Sequence, residues 1–121
     1  MTLATLLRGK QAEEKATQWL RGKGWKILHR NFRTRGAELD IVALEGQTLV
    51  FVEVKQRSTL SAGFPEEAVG PQKIAKLYKG AQFYLKTQPQ HAARNCRFDV
   101  LALEGDGPQV KIRHTPDVGC L

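Results

Sequence analysis

The sequence lacks the residues and patterns that mark several large classes of protein. It has two cysteines and three histidines, and their spacing fits neither a disulfide framework nor a metal site. No run of about 18 apolar residues occurs, so we expect no membrane-spanning helix and no membrane partner. The first residues, MTLATLLRGK, lack the ordered regions of a signal peptide. These absences favour a cytoplasmic protein.

Two further absences bear on the number of domains and on the type of reaction. The chain has no internal repeat, low-complexity tract or linker, so we predict a single domain over residues 1–121. Ser58, Thr59 and Ser61 have no histidine and aspartate partners for a hydrolytic triad, which argues against acyl transfer.

Positive charge is in excess, and it is concentrated towards one end of the chain. The formal net charge is +7. Residues 1–35 hold nine Lys or Arg against two Glu, whereas residues 36–121 hold ten charges of each sign. A one-sided positive field attracts polyanions such as nucleic acids. A basic surface that only keeps the protein in solution is the alternative interpretation.

Hydrophobic periodicity predicts the order helix, three strands, helix, two strands. The first helix covers residues 9–23, and the second begins at Pro71, which suits a first helical turn. Strands are predicted at residues 25–32, 37–44, 48–55, 96–103 and 110–114. This order indicates an α/β fold with a central mixed sheet flanked by helices. Residues 58–70 form a loop long enough to suggest function.

The second and third strands form the best-defined hairpin and carry three charged candidates. Alternation puts Leu39 and Ile41 on one face of the second strand and Asp40 on the other. Glu53 and Lys55 share a face of the third strand. If opposed residue numbers sum to 91 or 93, Asp40 lies about 5–8 Å from Glu53 between Cβ atoms. An even sum, or a bulge at the turn, would change this, so the sequence leaves the register open.

Two carboxylates this close repel each other unless a cation lies between them. Mg²⁺, or Mn²⁺, fits such a pair, because Mg²⁺ takes one or two carboxylates and keeps waters that substrate phosphates displace. Lys55 would lie near such a water and could orient it or offset phosphate charge. Glu13, at the border of the apolar stripe of the first helix, is a third candidate carboxylate. The alternative is a structural ion-pair cluster.

Several cationic and aromatic residues are candidates for binding nucleic acid. Arg33, Arg35 and Arg57 flank the predicted site from two turns, and arginine binds phosphate oxygens in bidentate fashion. Solvated loop positions are the alternative for all three. Phe83 lies among lysines on the second helix, where it could contact nucleic acid or a second copy of the chain. A homodimer is therefore one expectation.

These motifs resemble those of the PD-(D/E)XK nuclease superfamily, in which an acidic residue on one strand precedes E-x-K on the next. More narrowly, the chain is similar to the small bacterial YraN-like proteins, which are related to archaeal Holliday-junction resolvases. The similarity runs from RGKQAEEKATQWLRGKGWKILHRNFRTRGAELD through IVALEGQTLVFVEVKQR and GFPEEAV to RFDVLALEG. It implies a restriction-endonuclease-like αβββαβ core.

By position, the resemblance implies that Asp40 and Glu53 bind the metal and that Lys55 is the catalytic lysine. Glu13 corresponds to the helix-borne glutamate of resolvase-like members, and Glu38 to a neighbouring acidic residue. The implied function is a Mg²⁺- or Mn²⁺-dependent endonuclease-like phosphodiesterase acting on DNA, branched or damaged. The alternative is a nucleic-acid-binding or adaptor module that keeps the nuclease fold without turnover.

Two positions depart from the resembling pattern. Ala37 stands where the family usually has a second glycine, which should stiffen the turn slightly. Leu39 replaces the superfamily's proline before the acidic residue. Neither change removes a chemical group from the predicted site.

Overall fold

Two helices pack against a five-stranded sheet in the computed structural model, which describes residues 3–57, 70–105 and 110–118. Helix α1 spans Leu3–Gly22 and helix α2 spans Pro71–Thr87. The strands are β1 (Lys26–Thr34), β2 (Ala37–Glu45), β3 (Thr48–Arg57), β4 (Cys96–Glu104) and β5 (Lys111–Thr115). The predicted element order is confirmed. The GFPEEAV segment and nearly all of the predicted loop at 58–70 lie outside the described residues.

The sheet is mixed, as predicted, and its strands are ordered β1-β2-β3-β4-β5. All neighbours are antiparallel except β3 and β4, which run parallel. Parallel neighbours need a crossover connection, and α2 lies between these two strands in the chain. The result is an α/β fold consistent with a restriction-endonuclease-like core. Neither helix in the described ranges combines the length and apolarity needed to cross a bilayer.

Apolar side chains form one core cluster on each face of the sheet. The first cluster joins α1 to the sheet through Ala12, Ala16 and Leu20, which recur at helical spacing on one side of the helix. The second cluster joins α2 to the opposite face. Its α2 members are Leu77, Ala81 and Tyr84. The sheet is therefore covered on both faces.

The β2–β3 hairpin has an odd register, and its described pairing ends one position before Asp40 and Glu53. Ile41 opposes Val52 and Glu45 opposes Thr48, so opposed numbers sum to 93, one of the two odd values considered from the sequence. Gly46 begins the two-residue turn with φ of 59°. Glycine suits the first turn position of a tight hairpin because it adopts positive φ without steric cost.

The prediction that Leu39 and Ile41 share a face was wrong. Leu39 packs in the α2 cluster, whereas Ile41 packs in the α1 cluster. On β1, Asn31 lies between the partners of these two residues and has a left-handed φ of 54°. Asparagine tolerates this conformation better than most residues. The alternation of faces is therefore broken at the level of Asp40, where Asn31 changes the course of the neighbouring strand.

Candidate metal and phosphate site

The site lies where the β2–β3 hairpin opens. The pairing described between these strands ends at Ile41 and Val52. Beyond that level β2 stays paired with β1 through residues 37–39, and β3 stays paired with β4 through residues 53–57. The two strands thus follow different neighbours and separate, which leaves a split in the sheet that is bordered by charged side chains.

Asp40 occupies the start of this split. Its Oδ2 accepts a hydrogen bond of 2.8 Å from the backbone N–H of Val54, a donor that would otherwise have lost its strand partner. Burial, followed by repulsion from Glu53, raises the pKa of Asp40 to about 7, and the Val54 N–H opposes this rise. Glu13 and Glu38 repel the carboxylate as well. Asp40 is therefore held among negative charges that disfavour its ionised form.

Three carboxylates meet at the split and form what we name the acidic cluster: Glu13, Glu38 and Asp40. One oxygen from each lies within 4.8 Å of the others. Glu13 is half-buried because it follows the buried Ala12 on α1, so the packing of that helix fixes its direction. Glu38 and Asp40 come from β2. Helix and strand therefore converge on one point, as the helical periodicity of Glu13 had indicated.

Glu53 lies next to this cluster and is bound by two lysines. Its side chain is buried, and its Oε1 is 3.5 Å from the Lys55 ammonium and 3.1 Å from that of Lys73. Lys73 comes from the first turn of α2 and was not among the candidates from the sequence. A signal was present, because Lys73 lies one turn before the buried Leu77 and therefore faces the sheet.

The donor set fits a hard divalent cation. Carboxylate oxygens are the ligands that Mg²⁺ and Mn²⁺ prefer, and the acidic cluster offers three of them within a few ångströms. A cation there would also relieve the repulsion that raises the pKa of Asp40. Glu13 and Glu38 are the carboxylates grouped with Asp40, while Glu53 contacts lysines. The expected pairing of Asp40 with Glu53 around a metal stays a prediction.

Two basic grooves adjoin the split. The first, of about 550 Å³, is lined by Arg33, Thr34, Gly36, Ala37, Glu38, Lys73, Lys76 and Leu77. The second, of about 380 Å³, is lined by Thr34, Arg35, Lys79, Gln82, Phe83 and Lys86. Arg33 and Arg35 thus lie in separate but adjacent grooves. Arg57 is the last residue of β3, two positions beyond Lys55.

Asp99 belongs to a structural network on β4. Its carboxylate is fully buried and accepts hydrogen bonds from the Arg97 guanidinium at 3.0 and 3.1 Å. His114 Nε2 lies 2.7 Å from it, and the backbone N–H of Asp117 donates at 3.0 Å. A buried carboxylate with this many partners holds β4, β5 and the following residues together. Two of its three partners, His114 and Asp117, lie on or after another strand, so strand periodicity alone does not predict this network.

Comparison with known proteins gives a consistent family assignment. The profile described as Uncharacterised protein family UPF0102 matches residues 12–103. A UPF0102 protein of Syntrophomonas wolfei is 47% identical over 106 residues, which cover 88% of this chain and 91% of that protein. A UPF0102 protein of Chlorobium limicola is 46% identical over 98 residues, 81% of this chain and 75% of that protein.

A third relative extends the similarity over nearly the whole chain. A UPF0102 protein of Syntrophotalea carbinolica is 42% identical over 116 residues, 96% of this chain and 94% of that protein. The matched region contains every residue of the acidic cluster together with Glu53, Lys55 and Lys73. The chain belongs to the UPF0102 family.

Proposed function

We propose that the protein is a divalent-metal-dependent phosphodiesterase that cleaves DNA, in the manner of PD-(D/E)XK nucleases. The observation that carries this proposal is the convergence of Glu13, Glu38 and Asp40 beside the buried Glu53 and its contact with Lys55 at the split. Arg33, 3.5 Å from Glu38, offsets part of this charge, but its side chain is 76% exposed and such pairs are weak, so negative charge stays concentrated among three carboxylates within 4.8 Å of one another. This excess of negative charge supports a cation site.

The side chains at the split divide the chemistry between them. The acidic cluster would hold Mg²⁺ or Mn²⁺, which when bound supplies positive charge to the oxygens of the phosphodiester. Lys55, held 3.5 Å from Glu53, would orient the attacking water and offset charge on the phosphate. Lys73 would position Glu53 by its contact at 3.1 Å.

We infer the class of substrate from the charge of the two grooves and from the family resemblance. The basic grooves favour a polyanion, and their cations suit phosphate contacts, which position a nucleic acid without reading its bases. Branched or damaged DNA is the narrower proposal, supported by the resemblance to Holliday-junction resolvases. A cytoplasmic location and a homodimer, the arrangement of the resolvase-like proteins, stay predictions.

The test is cleavage of supercoiled plasmid and of a four-way junction in Mg²⁺ or Mn²⁺. Lys55→Met and Asp40→Asn should each lower the cleavage rate by at least about 100-fold, as expected for removing a group that stabilises charge in the transition state. Glu14→Gln is the matched control, because Glu14 is exposed, follows Glu13 and pairs with Arg30. Equal cleavage by wild type and both site variants would refute the proposal.

Metal binding is measured separately, by the rise in melting temperature when Mn²⁺ is added to the metal-free protein. Wild type and Glu14→Gln should be stabilised alike, and Asp40→Asn should lose the effect. Metal-dependent stabilisation without any cleaved product would favour the non-catalytic nucleic-acid-binding module.

A further inference from the structure

Phe83 is a large apolar side chain in a basic surrounding. It is 48% exposed on α2 and lines the second groove with Arg35, Lys79 and Lys86. Phe32 supports it from the sheet side, with the two ring centroids 6.2 Å apart and tilted by 46°. The ring is thus held in place while much of its surface faces water.

The combination of cations and an exposed aromatic ring matches the way proteins bind unpaired strands. Such sites pair a positively charged groove for the phosphates with aromatic side chains on which bases stack. A base inside a duplex is already stacked on its neighbours, so an unpaired base is the one that offers a face to Phe83. The described lining of this groove carries three cations and no carboxylate, which complements a phosphate backbone.

The second groove is adjacent to the first. Both are lined by Thr34, and both have α2 as one wall. The first groove reaches Glu38, which is a member of the acidic cluster. A strand bound along α2 would therefore lead towards the split in the sheet.

We propose that the second groove binds an unpaired strand of nucleic acid, with a base stacked on Phe83 and phosphates near Arg35, Lys79 and Lys86. We further propose that this strand continues through the first groove to the acidic cluster. The second statement rests on the proposed function, whereas binding at Phe83 does not. A substrate with an unpaired segment, such as a flap, overhang or open junction, follows from the two together.

The direct test measures binding by fluorescence anisotropy in EDTA, where metal-dependent cleavage cannot occur. The probes are a labelled oligothymidylate of about 12 nucleotides, within the site sizes of single-strand-binding folds, and a blunt duplex of the same length. Phe83→Ala should weaken single-strand binding by about fivefold or more, the range expected for losing one stacked base. Duplex binding should change less than twofold.

Tyr78→Ala is the matched control, because Tyr78 is 44% exposed on the same helix and does not line either groove. It should leave both affinities unchanged, and Phe83→Trp should restore single-strand binding. If Phe83→Ala and Tyr78→Ala weaken binding equally, or neither weakens it, the proposal is overturned.

The cations are tested by the salt dependence of the same measurement. Lys86→Ala should reduce the slope of log affinity against log salt by about 0.7, the value for one phosphate contact to a single strand. Lys111→Ala, at an exposed lysine on β5 away from the grooves, should reduce it less. Identical slopes for the two variants would count against phosphates in this groove.

A second copy of the chain is the competing occupant. If sedimentation shows that Phe83→Ala dissociates a dimer while strand affinity is unchanged, this face is a dimer interface and the proposal is wrong. Comparing Glu53→Gln with Glu53→Gln/Phe83→Ala separates the two proposals, because the added Phe83→Ala change should still weaken oligothymidylate binding when the proposed catalytic site is disrupted. If the strand binds at Phe83 but wild type cleaves no DNA, the proposed function is refuted and the proposal of strand binding stands. If wild type cleaves DNA but Phe83→Ala does not change strand binding, the proposed function stands and strand binding at Phe83 is refuted.

Discussion

The two ends of the β2–β3 hairpin differ in strand pairing and in the kind of side chain they carry. At the turn, the strands pair regularly and their side chains are buried, as Leu44 and Leu49 show. At the open end, the strands separate, and the charged side chains are those of the exposed Glu38, the half-buried Asp40 and the buried Glu53. The closed end contributes stability, because apolar surface is removed from water. The open end concentrates like charges, which lowers stability.

Truncating a side chain at the closed end should have the largest effect on stability. Leu49 is fully buried in the α2 cluster, so Leu49→Ala should lower the free energy of unfolding by about 2–5 kcal/mol through lost contacts and a cavity. Urea denaturation measures this. Leu3→Ala, at a leucine that is 71% exposed, is the control and should change little. Similar losses for both variants would contradict the description of the closed end.

At the open end, removing a charged group should raise the stability of the metal-free protein, whereas truncation at the closed end lowers it. The pKa of Asp40 is raised from an ordinary value of 3.8 to about 7. Between these values the folded protein binds a proton that the unfolded chain does not, so the stability of the metal-free protein should fall as pH rises from 4 to 7. Asp40→Asn should remove that fall. With the two proteins compared relative to pH 4, the free energy of unfolding of the variant at pH 8 should exceed that of wild type by on the order of 1–4 kcal/mol.

Denaturation in EDTA at several pH values tests this prediction. Glu14→Gln again serves as the control in the upper part of this range: the Arg30 hydrogen bond lowers the pKa of Glu14, so Glu14 is ionised there in the folded and unfolded states alike and the variant should keep the pH dependence of wild type. If the free energy of unfolding depends on pH with the same slope in wild type and Asp40→Asn, ionisation of Asp40 does not destabilise the folded protein.

A smaller effect is expected where the neighbouring strand changes course. Asn31 has φ of 54°, and a β-branched residue there should cost about 1–2 kcal/mol. Asn31→Val should therefore lower the melting temperature, whereas Asn31→Gly should leave it nearly unchanged. If Val and Gly behave alike, the left-handed conformation does not hold the strand in its course.

The smallest effect is expected for the exposed ion pair at the border of the first groove. Arg33 and Glu38 lie 3.5 Å apart, and the Arg33 side chain is 76% exposed. Exposed pairs contribute little, so Arg33→Gln should change the free energy of unfolding by at most a few tenths of a kcal/mol. The same variant should weaken DNA binding measurably. A large loss of stability would assign Arg33 to the fold instead of to the groove.

Much of the fold was predictable because local patterns determine it. The spacing of Ala12, Ala16 and Leu20 gave the buried face of α1 and, with it, the direction of Glu13. The hairpin between the second and third strands was predicted, and an odd register was one of the two outcomes considered. Periodicity and turn chemistry operate within a few residues, so one sequence was sufficient for these features.

The remaining features depend on contacts between distant segments. Strand alternation predicted the wrong face of the sheet for Leu39. The alternation is broken at the level of Asn31, a left-handed residue on the neighbouring strand β1, so the sequence of β2 alone does not show it. Lys73 was missed because its role depends on how α2 docks over Glu53. Asp99 finds its partners on β4, β5 and beyond, fifteen residues or more away in two of the three cases. Tertiary packing, which no local pattern encodes, determines all three.

The parallel pairing of β3 with β4 has a consequence for the order of folding. The hairpin closes over a two-residue connection, whereas β4 can join β3 only after the chain between them has crossed over the sheet, which is slower to achieve. Beyond Val52, β4 is the described strand partner of β3, and the Val54 N–H donates to Asp40 on β2. We therefore expect the turn to form early and the open end of the same hairpin to become ordered last, so a nascent chain that stops before β4 should lack an ordered acidic cluster.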